Sequence, residues 1–198
     1  GGMGAFPWGV TDTHFSERAR ETRLIRLVEH AGVRFGFGVD ETTALSVVEH
    51  EEDGTRKVVM DVSGAGGVYI VDAVELVTIA DAPFEASGMI THYLTAGDTF
   101  TWYPETETYD IQFAGDATAL TLDQAPAVGA TDDDVLYEDH YRTWVHNTLV
   151  AGETGATGTS YEDDPQYTLT ISAGADTVAV QKGEQVSYQN LTLDIAHD

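Results

Sequence analysis

The stretch from residue 10 to residue 39 constrains the fold most, because strand, helix and strand patterns follow one another there. Residues 10–12 have the pattern of a strand end, and Ser16 is a candidate N-cap for the helix that follows. Gly32 is expected to end this helix, and residues 33–39 are predicted to form the next strand. The apolar stripe of the helix comprises Leu24, Leu27, Val28 and Ala31. This order of elements is typical of an α/β domain.

Strand patterns dominate the rest of the chain. Strands are predicted at residues 45–49, 57–62, 68–71, 90–94, 99–103, 167–172, 177–181 and 191–195. One amphipathic helix is predicted within residues 134–150. The side chains expected to share its buried face are Val135, Leu136, Tyr141, Trp144, Val145 and Leu149. We therefore expect an α/β region at residues 1–110 and a β-rich extension with one helix at residues 111–198, packed on the same domain.

The charge of the chain is extreme, since 34 Asp and Glu residues stand against 9 Lys and Arg residues and the formal net charge is -25. Carboxylates at this density keep a folded protein hydrated in strong salt and repel one another when salt is removed. The composition is typical of a salt-loving organism, with an acidic protein of ordinary habitat as the alternative. Because phosphate contacts need a basic patch, nucleic acid is disfavoured as a partner.

Several kinds of site and segment are excluded or disfavoured. The chain has no cysteine, which excludes disulfides and thiolate metal sites. No apolar run approaches the roughly 20 residues of a membrane span. His140 and His146 are spaced too widely for a zinc pair on one helical face. The acidic residues 132–134 and 162–164 lack an EF-hand pattern, so calcium loops and solvated loops remain the alternatives there.

Two short signatures carry the clearest candidate chemistry. Residues 11–18 have the sequence TDTHFSER and contain His14, and residues 36–45 have the sequence GFGVDETTAL and contain Glu41. Taken singly, each side chain is more often structural or solvent-facing. The strand before Glu41 is expected to lie beside the strand that precedes His14, which would bring the carboxylate within hydrogen-bond reach of the imidazole. A serine hydrolase needs such a base and orienting acid.

These two signatures, their order and the helix between them resemble the cyanophycinase and peptidase E family of serine peptidases. There a DxHF segment carries the catalytic histidine and a later DExTA segment carries the acid that orients it, which implies these roles for His14 and Glu41. The resemblance is strongest over residues 8–48. The family's nucleophile lies in a GxSAGA-like elbow before the histidine, and this sequence contains no such segment. Ser63 and Ser87 precede glycines but lack the context of an elbow.

The resemblance also implies a fold. It predicts an α/β domain of the class I glutamine amidotransferase-like, flavodoxin-like kind, with a central sheet flanked by helices and a β-rich C-terminal extension. The chain would be the C-terminal portion of such a peptidase, without the N-terminal half of the domain. The location is left open between the cytoplasm of a salt-accumulating halophile and secretion, since an export signal would lie upstream.

A basic cluster follows His14, because four of the seven arginines fall between Arg18 and Arg26. A bidentate guanidinium suits a substrate that bears carboxylates, and the alternative is a solvated basic face on an acidic protein. In cyanophycinase-like proteins, arginines of this helix line the substrate pocket. The resemblance assigns that role to Arg18, Arg20 and Arg23, and Arg26 is expected at the surface.

Thr13 departs from the family, which typically has a substrate-holding glutamine there, so the substrate is open between cyanophycin and another Asp-containing peptide. The resemblance implies a serine-type exopeptidase that uses no metal or cofactor and releases β-aspartyl-arginine from cyanophycin. The expected partners are a peptide substrate, the serine-bearing N-terminal part of the same enzyme and a second copy in a homodimer, without membrane or nucleic acid. This chain by itself is expected to be inactive. The alternative is a relative that lost its nucleophile, or an unrelated acidic binding or structural protein.

Overall fold

The fold is known from a computed structural model, which describes residues 6–52, 54–79, 83–126 and 132–198. Its helices are α1 (Glu21–Ala31) and α2 (His140–Val150), and a short 3-10 turn covers Ser16–Arg18. The strands are β1 (Val10–Thr13), β2 (Phe35–Val39), β3 (Thr43–Glu52), β4 (Thr55–Gly64), β5 (Gly67–Asp72), β6 (Val77–Ile79), β7 (Glu85–Thr95), β8 (Thr99–Tyr103), β9 (Thr108–Gln112), β10 (Thr118–Ala119), β11 (Gly155–Thr159), β12 (Tyr167–Lys182) and β13 (Gln185–His197). No described helix is long and apolar enough to cross a membrane.

The strands form two sheets. The larger sheet has the order β1-β2-β5-β7-β13-β12-β10, with β11 beside β12 and β6 beside β7, and the smaller has the order β3-β4-β8-β9. β1 and β2 are paired in parallel, and α1 connects them in the chain. All other pairs of described strands are antiparallel. The strand–helix–strand pattern therefore produces one parallel unit at the edge of an otherwise antiparallel sheet.

The expected flavodoxin-like, helix-flanked fold of the class I glutamine amidotransferase kind is wrong. The chain is mostly β, and the core clusters place both α-helices on one face of the larger sheet and the smaller sheet on its other face. The physical reason is the length of the connections. Two parallel strands need a long crossover between them, and most connections between successive strands here are too short for that. The hairpin β3–β4, for example, pairs Glu52 with Thr55.

Strand β5 shows how the layers meet. Alternate side chains of a strand point to opposite faces, so Tyr69 and Val71 pack with the helices while Val68 and Ile70 pack with the smaller sheet. All four are buried. The larger sheet is thus covered on both faces around the strands that position the candidate site.

The helix after β1 begins later than its sequence pattern predicts. Ser16 is not its N-cap, because the chain first makes the 3-10 turn and passes through Ala19 in a left-handed conformation at φ 45°. α1 then starts at Glu21 and ends at Gly32, whose φ of 62° suits a glycine cap. Leu27 and Ala31 are exposed rather than buried. The buried stripe of this helix comprises Glu21, Leu24, Ile25 and Val28.

The C-terminal part of the chain enters the same sheet as the N-terminal part. β13 pairs with β7, and β12 pairs with β13 as one long strand with an irregularity between Ala173 and Val178, where two strands had been predicted. The predicted helix is present as α2, with the predicted residues Tyr141, Trp144 and Val145 buried. The division of the chain at residue 110 stays a prediction.

Candidate active site

The parallel pairing of β1 and β2 brings the two signatures to one edge of the sheet. The register runs from Val10 opposite Gly36 to Thr13 opposite Val39, so both strands end at the same level. His14 follows β1 directly, and Glu41 follows β2 after Asp40. The two loops therefore emerge side by side, as the sequence pattern predicted.

The imidazole of His14 contacts the carboxylate of Glu41. Nδ1 of His14 lies 2.8 Å from Oε1 of Glu41, and about half of each side chain is exposed, 52% and 49%. When Nδ1 carries the ring proton and donates it to the carboxylate, Nε2 is left as an acceptor. Within the described chain, no hydrogen bond occupies Nε2. The arrangement can therefore take up a proton at Nε2.

Tight packing beneath His14 anchors its loop. Phe15 is fully buried and stacks on Tyr69 with ring centroids 5.4 Å apart. It also lies against Gly38 of β2, where an added Cβ would come within 2.4 Å of the Phe15 ring. Only a glycine in β2 lets Phe15 approach so closely, so the GFG part of the second signature shapes the loop of the first.

The three arginines predicted to bind substrate are arranged differently from one another. Nη1 of Arg20 donates to Oδ1 of Asp12 at 2.7 Å and to the carbonyl oxygen of Thr13 at 2.6 Å. Arg23, half exposed, lies 3.4 Å from Oδ2 of Asp12 through Nε. The exposed guanidinium of Arg18 makes no hydrogen bond or ion pair with another described residue. Arg18 and Arg23 are therefore open to a ligand, whereas Arg20 also holds the backbone before His14.

Thr13 is exposed, and its backbone groups are both engaged. Its N–H donates to Oδ1 of Asp12 at 2.9 Å, and its carbonyl oxygen accepts from Arg20. Its side-chain hydroxyl forms no hydrogen bond within the described chain. Asp12 is 8% exposed, and its carboxylate contacts the N–H of Thr13 and the guanidiniums of Arg20 and Arg23. The sequence interpretation did not single out this residue.

A second set of residues missed from the sequence surrounds Asp40. This buried carboxylate accepts from the N–H of Ser16, from the hydroxyl of Tyr93 and from Arg142 of α2. The only sequence signal for Asp40 is its place beside Glu41 in the second signature. Arg142 lies 102 residues away in the chain, and nothing in its local sequence connects it with the site.

Beneath this edge lies a buried polar cluster around Glu21. The Glu21 residue is 1% exposed, and it lies among Tyr69, Tyr141 and His146. Burial, with the charge of Asp40 adding to it, raises the pKa of Glu21 from 4.5 to about 8. Burial is the main cause that lowers the pKa of His146 to about 4, and the positive charge of Arg142 in α2 lowers it further. The cluster is therefore close to neutral despite its titratable groups.

Other candidate sites find little support. Ser63 lies in β4 and Ser87 in β7, so neither occupies a strand-to-helix elbow. The described residues contain no group of three or more His, Cys, Asp or Glu side chains that could hold a metal ion. His140 contacts Asp132 at 3.3 Å through Nδ1.

The chain is similar to two cyanophycinases. That of Trichormus variabilis is 35% identical over 111 residues, which make up 53% of this chain and 35% of that protein. A cyanophycinase of a Nostoc species has the same identity over the same length. The match thus spans about a third of the length of these curated relatives. No protein-family model matches the chain. The similarities support a cyanophycinase-like relationship and, with it, a relationship to a peptidase family.

Proposed function

We propose that this chain supplies the base and the orienting acid of a serine-type exopeptidase of the cyanophycinase kind. The observation that carries the proposal is the 2.8 Å contact between Nδ1 of His14 and Oε1 of Glu41. The similarity to cyanophycinases supports the peptidase class. Both side chains are half exposed, as groups that must meet a substrate have to be.

In this mechanism His14 acts at Nε2. A serine hydroxyl gives its proton to Nε2 as its oxygen attacks the peptide carbonyl, and His14 then passes that proton to the leaving amine. Glu41 accepts the Nδ1 proton in a hydrogen bond throughout, which selects the tautomer with a free Nε2 and stabilises the imidazolium when it forms. No step requires a metal or a cofactor.

We assign substrate carboxylates to Arg18, Arg20 and Arg23. The open guanidiniums of Arg18 and Arg23 are suited to direct contact, since a fork of N–H donors matches a carboxylate. Arg20, which already bonds Asp12 and Thr13, contributes by holding the loop as well. The proposed substrate is cyanophycin, cut to β-aspartyl-arginine, or another Asp-containing peptide selected by Thr13.

The nucleophile is assigned to an additional part of the enzyme. The relatives are about three times as long as the matched region, so they contain sequence with no counterpart here. Among the described strands β1 lies at one edge of the larger sheet, so a further strand could pair with it before Thr13, whose own N–H and C=O are engaged by Asp12 and Arg20. A GxSAG elbow encoded in frame upstream would support this assignment.

The test uses the complete gene product that contains this chain. We expect His14→Ala to abolish release of β-aspartyl-arginine from cyanophycin, with His50→Ala, an exposed histidine of β3, as the matched control. We expect the isolated 198-residue chain to show no turnover of cyanophycin or Asp-X dipeptides, because it lacks the elbow. Turnover by the isolated chain that His14→Ala abolishes would refute an upstream nucleophile.

The alternative is a relative that has lost its nucleophile, or an acidic binding protein. The acidic composition does not favour either of these alternatives over the enzyme, because net charge affects solubility and not the chemistry of a site. Unchanged cyanophycin turnover in His14→Ala of the complete protein would reject the peptidase mechanism. Binding of cyanophycin without cleavage, together with an absent upstream elbow, would establish the alternative.

A further inference from the structure

Arg142 of α2 lies among three carboxylates next to the His14–Glu41 pair. Its Nη1 is 2.9 Å from Oδ2 of Asp40 and 3.8 Å from Oε1 of Glu17, and its Nη2 is 2.5 Å from Oδ1 of Asp139. The Arg142 side chain is 24% exposed, whereas the Asp40 side chain is fully buried. One guanidinium therefore faces all three acids.

Each of these three residues holds the backbone near the pair, Asp40 and Glu17 through their carboxylates and Asp139 through its N–H. Asp40 immediately precedes Glu41, and its Oδ1 accepts from the N–H of Ser16, two residues after His14, at 3.0 Å. The other oxygen, Oδ2, accepts from the N–H of Gly67 at 3.2 Å and from the hydroxyl of Tyr93. One carboxylate therefore ties together the loops that carry the two side chains.

Glu17 and Asp139 complete the clamp. Oε1 of Glu17 accepts from the N–H of Glu41 at 3.1 Å, which fixes the backbone of the orienting acid itself. The N–H of Asp139 donates to the carbonyl oxygen of Ser16 at 2.8 Å. Ser16 is thus held at its N–H by Asp40 and at its carbonyl by Asp139, the residue just before α2.

The backbone at this point needs such restraint. His14 has a φ of 51°, a left-handed conformation that non-glycine residues seldom adopt and that persists only where surrounding contacts impose it. A buried carboxylate is in turn costly unless it is paired and hydrogen-bonded. Arg142 provides the pairing charge for Asp40, whose other described partners are neutral donors, and so supports the restraint next to His14.

We propose that Arg142 is a positioning residue for the His14–Glu41 pair and that α2, from the C-terminal part of the chain, completes the site. The role in catalysis rests on the proposed function, whereas the structural dependence of the pair on Arg142 does not. Loss of the guanidinium leaves the carboxylates of Asp40, Glu17 and Asp139 close together without a positive charge between them. We expect their mutual repulsion to release the N–H groups of Ser16 and Glu41.

The test measures the pair directly. In NMR spectra, a hydrogen-bonded Nδ1–H of His14 is expected as a low-field proton signal, assigned by its loss in His14→Ala. Hydrogen exchange at the Ser16 amide reports the clamp, and the Ile171 amide in β12 reports global unfolding. The variants are Arg142→Gln, which removes the charge, Arg142→Lys, which keeps it, and the control Arg56→Ala in the smaller sheet.

In Arg142→Gln we expect the low-field signal to be lost and Ser16 to exchange about tenfold faster or more, with Ile171 unchanged. Arg142→Lys should retain part of both signals, and Arg56→Ala should match the unsubstituted protein. A low-field signal and Ser16 protection that survive in Arg142→Gln would overturn the proposal, as would equal losses in the glutamine and lysine variants. If Arg142→Gln fails to fold, retention of both signals in Arg142→Lys, in part or in full, supports the charge requirement, and their complete loss in a folded Arg142→Lys contradicts it.

Activity separates this proposal from the proposed function. In the complete enzyme, Arg142→Gln is expected to lower kcat by about tenfold or more with little change in KM, because it disturbs the base rather than substrate binding. If His14→Ala leaves hydrolysis intact while Arg142→Gln still loses the low-field signal, the peptidase mechanism fails and the structural role of Arg142 stands. If His14→Ala abolishes hydrolysis while Arg142→Gln keeps the low-field signal and normal kcat, the peptidase mechanism stands and Arg142 has no positioning role.

Discussion

Nδ1 of His14 and Oε1 of Glu41 are 2.8 Å apart although 27 positions separate them in the chain. The contact exists because β1 and β2 run parallel and end at the same edge, with α1 as the crossover between them. A short strand–helix–strand unit is therefore sufficient to bring a base and an acid together. Four predictions test this site and the fold that carries it.

Glu41→Gln in the complete enzyme should lower kcat by about two to four orders of magnitude while the fold is kept, because an amide no longer secures the tautomer with a free Nε2. Steady-state kinetics on cyanophycin measure the effect, and denaturant unfolding checks the fold. Glu49→Gln, an exposed carboxylate of β3, is the matched control. A kcat near normal in Glu41→Gln would mean that another residue orients His14.

Glu21 should make stability fall as the pH rises. Its pKa is about 8 in the folded state and ordinary in the unfolded chain, so the folded state holds a proton that the unfolded state gives up above about pH 4.5. Its contribution is therefore complete below that pH and is lost progressively until the pH passes about 8. Deprotonation of this buried acid should cost on the order of 5 kcal/mol across the range.

Glu21→Gln isolates that contribution, since an amide does not titrate. The free energy of unfolding of the glutamine variant, relative to the unsubstituted protein, should increase between about pH 5 and about pH 9. Urea unfolding at both pH values measures it, with Glu51→Gln, an exposed residue of β3, as the control. Parallel pH profiles for Glu21→Gln and the unsubstituted protein would contradict a raised pKa.

Arg34→Ala should be strongly destabilising. The guanidinium of Arg34 bonds both oxygens of Asp72, at 2.8 and 2.7 Å, and its Cζ lies 4.9 Å from the centre of the Trp102 ring. Asp72 is 1% exposed, so removing Arg34 leaves a buried charge without its partner and should cost about 3 kcal/mol or more.

The control for Arg34→Ala is Arg56→Ala. Arg56 forms exposed ion pairs with Glu49 and Glu105, which should contribute about 1 kcal/mol or less. Denaturant midpoints of the two variants give the comparison. Equal destabilisation by both substitutions would show that the burial of Asp72 does not increase the contribution of its ion pair to stability.

Thermal stability should rise steeply with salt. The Debye length is about 30 Å at ~0.01 M ionic strength and about 3 Å at ~1 M, so molar salt screens most of the repulsion within a net charge of -25. Because repulsion is greater in the compact state than in the expanded chain, screening should favour folding. The measurement is the melting temperature in dilute buffer and in molar KCl near pH 7. A flat or falling melting temperature would remove the halophile hypothesis.

Local pattern was sufficient for the parts of the site that lie close in sequence. The apolar stripe that ends at Gly32 predicted α1, and that helix forced β1 and β2 into parallel register. The same pattern misplaced Ser16, which lies in the 3-10 turn before α1 instead of capping that helix, and its N–H donates to Asp40 from another loop. A local motif cannot anticipate a partner that tertiary packing brings in.

The fold class failed for a related reason. Strand patterns at residues 45–49 and 57–62 were correctly recognised, but period-two patterns are alike in parallel and antiparallel strands. The family resemblance favoured helical crossovers, whereas the chain forms the hairpin β3–β4 and lays the smaller sheet over Phe35 and Phe37. Which face of a sheet is covered, and by what, depends on long-range packing.

Sequence by itself determined the pairing of His14 with Glu41, because one helix between two strands leaves a single close arrangement of the loops that follow them. Only the tertiary structure decided what holds that pair in place. Arg142 reaches Asp40 across 102 positions, from a helix whose local sequence carries no sign of the contact. A short-range motif specifies which side chains can meet, whereas the charge that compensates a buried carboxylate comes from a distant element that packs against it.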